Sequence, residues 1–213
     1  MLPMQGYNNE KMEFRQRAAQ LCEAGRELYA WGMVPATSGN LSTRLSDGRI
    51  LITVSGAHKG RLDESQLVQL NPEGNPPGSD KPSAETALHL QIYNRFPEIN
   101  AVLHPHSRSA TLLSRLNRNG CVLEGYELLK ALPGITTHES RITIPNFRND
   151  QDVERLAGEV DDWMDTHDQT AGYLIESHGF YTWGDSIKDA LRHAEALEFL
   201  FKCELQLLGM IPR

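Results

Sequence analysis

The chain has 213 residues, 39% hydrophobic and 23% charged, a composition that suits one globular domain with a single core and excludes a disordered chain. Its net charge of −7 excludes a general attraction for nucleic acid or an anionic membrane, so an anionic ligand needs a local site. No apolar run approaches the roughly 20 residues of a membrane span, the N-terminus lacks the basic-then-apolar pattern of a signal peptide, and Cys22, Cys121 and Cys203 show no CxxC spacing, so the expectation is a cytoplasmic protein without a disulfide framework.

Residues 10–31 carry Phe14, Ala18, Leu21, Gly25 and Leu28 at helical spacing, and Gly32 and Pro35 stop that helix. "NLSTRL", "SDG" and "RILITV" over 40–54 predict a hairpin, and "LVQL" at 67–70 a further short strand before a loop dense in Pro and Gly. Residues 83–96 read as a helix capped by Ser83 and ended by Pro97. A strand over "AVLH" and a helix over "SATLLSRL" follow, then a short helical piece at 126–132 and a strand over "RITIPNF". A helix over 152–165, two strands within 171–184 and a long helix from Ser186 to about Leu208 complete the chain. Short turns join several neighbouring strands, which predicts a mixed or antiparallel sheet in an α/β/α sandwich; no GxGxxG follows a strand.

The strand "AVLHPHS" finishes on His104 and His106. Side chains two apart on a strand leave the same face, so both imidazoles can converge on one point. A polar strand end explains such a pair as well as a metal site does. His178, in the turn "ESHGF" between two predicted strands, supplies a third imidazole, and three imidazoles with an open fourth position form a recognised catalytic zinc arrangement. Gly179 beside it suits a sharp bend. His58, His89, His138, His167 and His193 fall on helix faces or in loops and read as ordinary polar residues, with His58 the doubtful one.

A second theme is anion binding. "ATSGNLSTR" at 36–44 and "ITVSGAHKG" at 52–60 each place small hydroxyl residues and glycine at a strand end, where backbone N–H groups can face a phosphate. Lys59 adds a point charge. Ser and Gly also populate ordinary turns, but two such turns, one with a lysine, favour a phosphate cradle.

Taken together, "TSGNLSTR", "SGAHKGRL", "PSAE", "LHPHS", "GYELLKAL" and "ESHGFYTWG" stand in the order found in the zinc-dependent class II aldolase superfamily, and the chain most resembles its methylthioribulose-1-phosphate dehydratase branch. The match runs from the first helix to the last, a single domain over 1–213. The resemblance implies a three-layer α/β/α sandwich with a mostly antiparallel central sheet, assembled as a homotetramer. It implies one Zn2+ per subunit on His104, His106 and His178, and a ketose 1-phosphate whose phosphate lies against Ser38, Gly39, Asn40, Ser55, Gly56 and Lys59. The implied reaction is dehydration of 5-methylthioribulose 1-phosphate to 2,3-diketo-5-methylthiopentyl 1-phosphate in methionine salvage. An aldolase yielding dihydroxyacetone phosphate and an aldehyde is the alternative; a non-catalytic scaffold like the adducin head domain is disfavoured by the three histidines. For the proton carrier the dehydratase-type segment "YELLKAL" points to Glu127, and the aldolase-type segment "PSAE" points to Glu85. Ala84 replaces a serine common in the aldolase branch, which removes one hydroxyl from the phosphate side.

Overall fold

The computed structural model describes residues 4–79, 81–167 and 170–209. Helix α1 (Met4–Ala30) is followed by β1 (Asn40–Arg44), β2 (Ile50–Thr53) and β3 (Leu67–Leu70). Helix α2 (Thr86–Arg95) leads to β4 (Ala101–His104), and α3 (Arg108–Leu116) to β5 (Cys121–Glu124). Strands β6 (Arg141–Ile144) and β7 (Asn146–Phe147), helix α4 (Val153–Asp165), strands β8 (Tyr173–Ile175) and β9 (Gly179–Gly184), and helix α5 (Ile187–Leu207) complete the order. Seven strands form one sheet in the order β3-β2-β1-β4-β9-β8-β7, antiparallel except for β7 against β8. The expected sandwich and its mostly antiparallel sheet are both present.

Strand alternation builds the two cores. Leu41, Leu51, Leu103, Leu174 and Phe180 face α1, α3 and α5. Their neighbours Ile50, Ile52, Val102, Tyr173 and Tyr181 face α2 and α4. Strand β4 is central and buried along its whole length, which is why "AVLH" is an apolar run and not an alternating one. Among the described residues, no helix is long and apolar enough to cross a membrane.

Several boundaries differ from the sequence reading. Helix α1 begins six residues before the expected start at residue 10, over a polar stretch with no apolar periodicity to announce it. Ser83 does not cap α2: residues 83–85 form a separate turn, with the Thr86 N–H donating to the Ser83 carbonyl (3.2 Å), and Glu85 stands at the helix mouth. Pro145 divides the expected strand over "RITIPNF". β6 pairs with β5 in a two-stranded sheet, whereas β7 joins the main one. Strand β5 had no sequence signal, being four residues with alternate burial. The piece at 126–132 is a 3₁₀ turn over Glu127–Ala131.

The pairing decides where the site lies. Asn40 stands opposite His104, Ser42 opposite Ile52, and Leu103 opposite Thr182. Antiparallel order therefore gathers the starts of β1 and β9 and the ends of β2 and β4 along one edge of the sheet. The histidine motif and both Ser/Gly turns sit at those four strand ends.

Candidate active site

His104 ends β4, His106 follows one residue past Pro105, and His178 lies in the β8–β9 turn. Two backbone features hold them together. A Cβ on Gly39 would lie 2.5 Å from the His104 carbonyl oxygen, and Gly39 has φ +73°, so only glycine fits there without strain. A Cβ on Gly179 would lie 2.3 Å from the Pro105 carbonyl oxygen. The left-handed residue of the turn is Ser177, at φ 59°. Gly179 is thus required by close packing against the Pro105–His106 backbone, while the bend comes one residue before His178.

The three imidazoles converge. Nε2 of His106 lies 2.8 Å from Nε2 of His104 and 2.8 Å from Nε2 of His178, and the third separation is 3.4 Å. Two nitrogens each 2.0–2.1 Å from one tetrahedral zinc ion stand about 3.3 Å apart, a value these separations bracket. His104 Nδ1 donates to the Phe180 carbonyl at 2.8 Å, which fixes its tautomer and turns the Nε2 lone pair inward. Burial, reinforced by its neighbours His178, His89 and Lys59, pushes the His104 pKa well below the usual value, and burial with His104 and His178 nearby takes His106 down to about 2. Both rings are therefore neutral, the form that binds metal. Glu85 completes the group, with Oε2 3.3 Å from His104 Nε2 and Oε1 3.6 Å from His178 Nε2. Among the described residues this is the one cluster of His, Cys, Asp or Glu whose ligand atoms could share a metal ion. The donors fit a divalent ion: neutral lone pairs pointing at one another are satisfied together by a cation between them.

A cavity of about 340 Å³ opens beside the histidines and is lined by all six residues expected to hold phosphate, Ser38, Gly39, Asn40, Ser55, Gly56 and Lys59. Lys59 is buried, with Nζ donating to the Thr37 carbonyl (2.9 Å) and the Ala57 carbonyl (2.7 Å). An ammonium has three N–H donors, so one remains for an anion. Burial lowers its pKa to about 8, opposed by the Glu85 carboxylate. Ser38 directs its amide and its hydroxyl to the Pro35 carbonyl (3.1 and 2.7 Å), which shapes the turn. The Asn40 side chain is also engaged: Nδ2 donates to Glu85 Oε2 at 2.6 Å, and Oδ1 bonds His89.

Residues 19–205 match the model of the class II aldolase and adducin N-terminal domain family. The chain belongs to this family. It is 56% identical over 198 residues to the methylthioribulose-1-phosphate dehydratase of Methylococcus capsulatus, covering 93% of this chain and 97% of that one. Among solved structures it is similar to YgbL of Escherichia coli (TM-score 0.78, 24% identity, 93% and 92% of the two chains). It is also similar to the L-fuculose-1-phosphate aldolase of Thermus thermophilus (TM-score 0.71, 26% identity, 92% and 97%).

The two carboxylates considered for proton transfer stand apart in this class II aldolase family member. Glu85 is at the histidines. Glu127 lies on the outer helical layer, on a side chain 75% exposed, paired with Lys130 Nζ at 2.6 Å; that pairing holds its carboxyl below the usual range. It borders a different cavity, beside Leu128, Arg192 and Phe199. Three features escaped the sequence reading. His89, set aside as ordinary, is fully buried and bonded to the site; its position four residues after Glu85, on the same helix face, was the available signal. Tyr181 stacks on His104 (centroids 4.0 Å apart). Asn149, Asp150 and Gln151 line the far side of the cavity, from a polar loop whose sequence carries no motif.

Proposed function

We propose that this chain is a zinc-dependent methylthioribulose-1-phosphate dehydratase of methionine salvage, working in the cytoplasm as a homotetramer. The observation that carries the reading is one cavity with the three convergent imidazoles beside it and a buried lysine in its wall, which suits a ketose phosphate held at both ends. A zinc ion on His104, His106 and His178 supplies Lewis acidity that stabilises the charge formed when the C3 proton leaves. Lys59, with the turns at Ser38–Asn40 and Ser55–Gly56, holds the phosphate and fixes the sugar's direction. Asp150 is neutralised by Arg155, at 2.6 Å from both guanidinium nitrogens it meets, so it does not repel the phosphate strongly.

Dehydration needs a base for the C3 proton and an acid for the departing C4 hydroxyl. Glu85, beside the three histidines, takes one of these steps in its own chain. Glu127 takes the other, reaching the site of a neighbouring chain in the tetramer; its exposure beside the exposed apolar Leu128 and Phe199 supports a surface that meets another subunit. The deciding experiment is incubation of the zinc-loaded enzyme with 5-methylthioribulose 1-phosphate. One product lighter by a single water is expected. Dihydroxyacetone phosphate and an aldehyde would instead identify an aldolase.

Lys59 also predicts a pH dependence. The ammonium is cationic below its pKa of about 8 and neutral above it, so phosphate attraction is present at neutral pH and fades as the pH rises through 8. kcat/KM, which reports groups of the free enzyme, is expected to fall on that alkaline side. Lys59→Met should lose about 1.5–3 kcal/mol of phosphate binding, the usual scale for a charge-assisted hydrogen bond, while keeping zinc and flattening that limb. An unchanged limb would assign it to another group.

A further inference from the structure

Behind Glu85 runs a line of polar side chains, of which the chemistry above uses only the turn at Asn40. The Tyr93 hydroxyl lies 2.8 Å from Ser42 Oγ, and Ser42 Oγ lies 2.7 Å from His89 Nδ1. His89 Nε2 meets Asn40 Oδ1, and Asn40 Nδ2 meets Glu85 Oε2 at 2.6 Å. Tyr93, Ser42, His89 and Asn40 are all buried between α2 and the sheet. Apolar side chains of similar size would fill that space at no desolvation cost, so a buried polar line there calls for a reason.

The line has one direction, and the carboxylate end sets it. A carboxylate only accepts, so Asn40 presents its NH2 to Glu85 and its carbonyl oxygen to His89. His89 must then donate from Nε2, which leaves Nδ1 as an acceptor for the Ser42 hydroxyl. Ser42 oxygen in turn accepts from Tyr93. Turning the Asn40 amide over would aim its oxygen at the carboxylate and would require the opposite His89 tautomer and reversal of both hydroxyls.

We propose that His89 is a positioning residue which, anchored by Ser42 and Tyr93, locks the Asn40 amide and so holds the Glu85 carboxylate in place against the three histidines. This rests on the site reading above and adds to it a device for orienting the carboxylate. Such control matters because a displacement of about 1 Å at a reacting group costs on the order of 100-fold in rate.

The test uses the zinc-loaded enzyme. His89→Met removes the donor to Asn40, whereas His89→Gln places an amide N–H near the position of Nε2. His89→Met is expected to lower kcat by about tenfold or more with KM and zinc content little changed, and His89→Gln to recover most of the loss. Introduced into Glu85→Gln, His89→Met should cost nothing further, because its effect runs through Glu85. Nitrogen chemical shifts of 15N-labelled His89 should report the Nε2–H tautomer. Wild-type kcat in His89→Met, losses that multiply in the double variant, or an Nδ1–H tautomer would each overturn the proposal. If His89→Met does not fold, Asn40→Asp tests the same point: it sets an acceptor against Glu85 at constant size, and a wild-type kcat there is equally fatal. If the native enzyme does not dehydrate 5-methylthioribulose 1-phosphate, the activity reading fails alone, and the tautomer measurement, which needs no turnover, still decides the role of His89.

Discussion

His104→Ala is expected to abolish metal binding and turnover together and to weaken the fold as well. His104 supplies one of three converging Nε2 atoms, and losing a direct ligand should lower zinc affinity by at least about 100-fold, the upper end of what is lost when a ligand's supporting residue is removed. The same ring is wholly buried, donates to the Phe180 carbonyl and stacks on Tyr181. Truncation leaves that carbonyl unpaired, at a cost of about 1–3 kcal/mol. His106 accepts no such structural duty among its described contacts, so His106→Ala should lose zinc and activity while keeping most of the stability. Elemental analysis beside thermal unfolding of the metal-free proteins separates the two effects. Full zinc and activity in both variants would refute the metal site; equal unfolding temperatures would remove the structural part of the His104 argument.

The second large effect concerns the carboxylates. Glu85→Gln and Glu127→Gln each keep the shape of the side chain and remove its ability to carry a proton, and each is expected to slow turnover by about 100-fold or more. By sequence Glu127 is the first choice of proton carrier and Glu85 the runner-up, with a part in ordering the site as the other way Glu85 could matter. Its place beside His104 and His178, and its bond to Asn40, supply that part. Glu127 makes a sharper test because it lies outside the histidine cavity of its own chain. Subunits carrying Glu127→Gln retain all three histidines, and subunits carrying His106→Ala retain Glu127. Unfolded together and reassembled, the two inactive variants should form mixed oligomers, and under the proposed sharing of Glu127 between neighbouring chains roughly a quarter of the sites regain both parts by random pairing. No recovery would rule out Glu127 acting across the interface, and a Glu127→Gln enzyme at wild-type speed would remove it from the chemistry altogether.

Much of this protein was legible in one dimension. The spacing of His104 and His106 on a strand placed both rings on one side, because strand side chains alternate with a period of two. Small residues with glycine at strand ends marked the two turns that line the cavity, and the ordered motifs announced the superfamily. What a sequence does not contain is distance between segments. Only the antiparallel pairing of β1 with β4 and of β4 with β9 brought residues 38–40, 104–106 and 178 to one sheet edge. Register also decided the roles of the side chains there. His89 looks like any polar residue on a helix until Ser42 and Asn40, almost fifty residues earlier, are laid against it. Ser83 looked like a helix cap, yet it begins a separate turn that carries Glu85 toward the histidines. The separation of Glu127 from that cavity has the same origin. Its turn follows the excursion of β5, and packing on α5 through the Tyr126–Glu204 hydrogen bond (2.7 Å) fixes it on the outer helical layer, a placement set by tertiary contacts and not by local pattern.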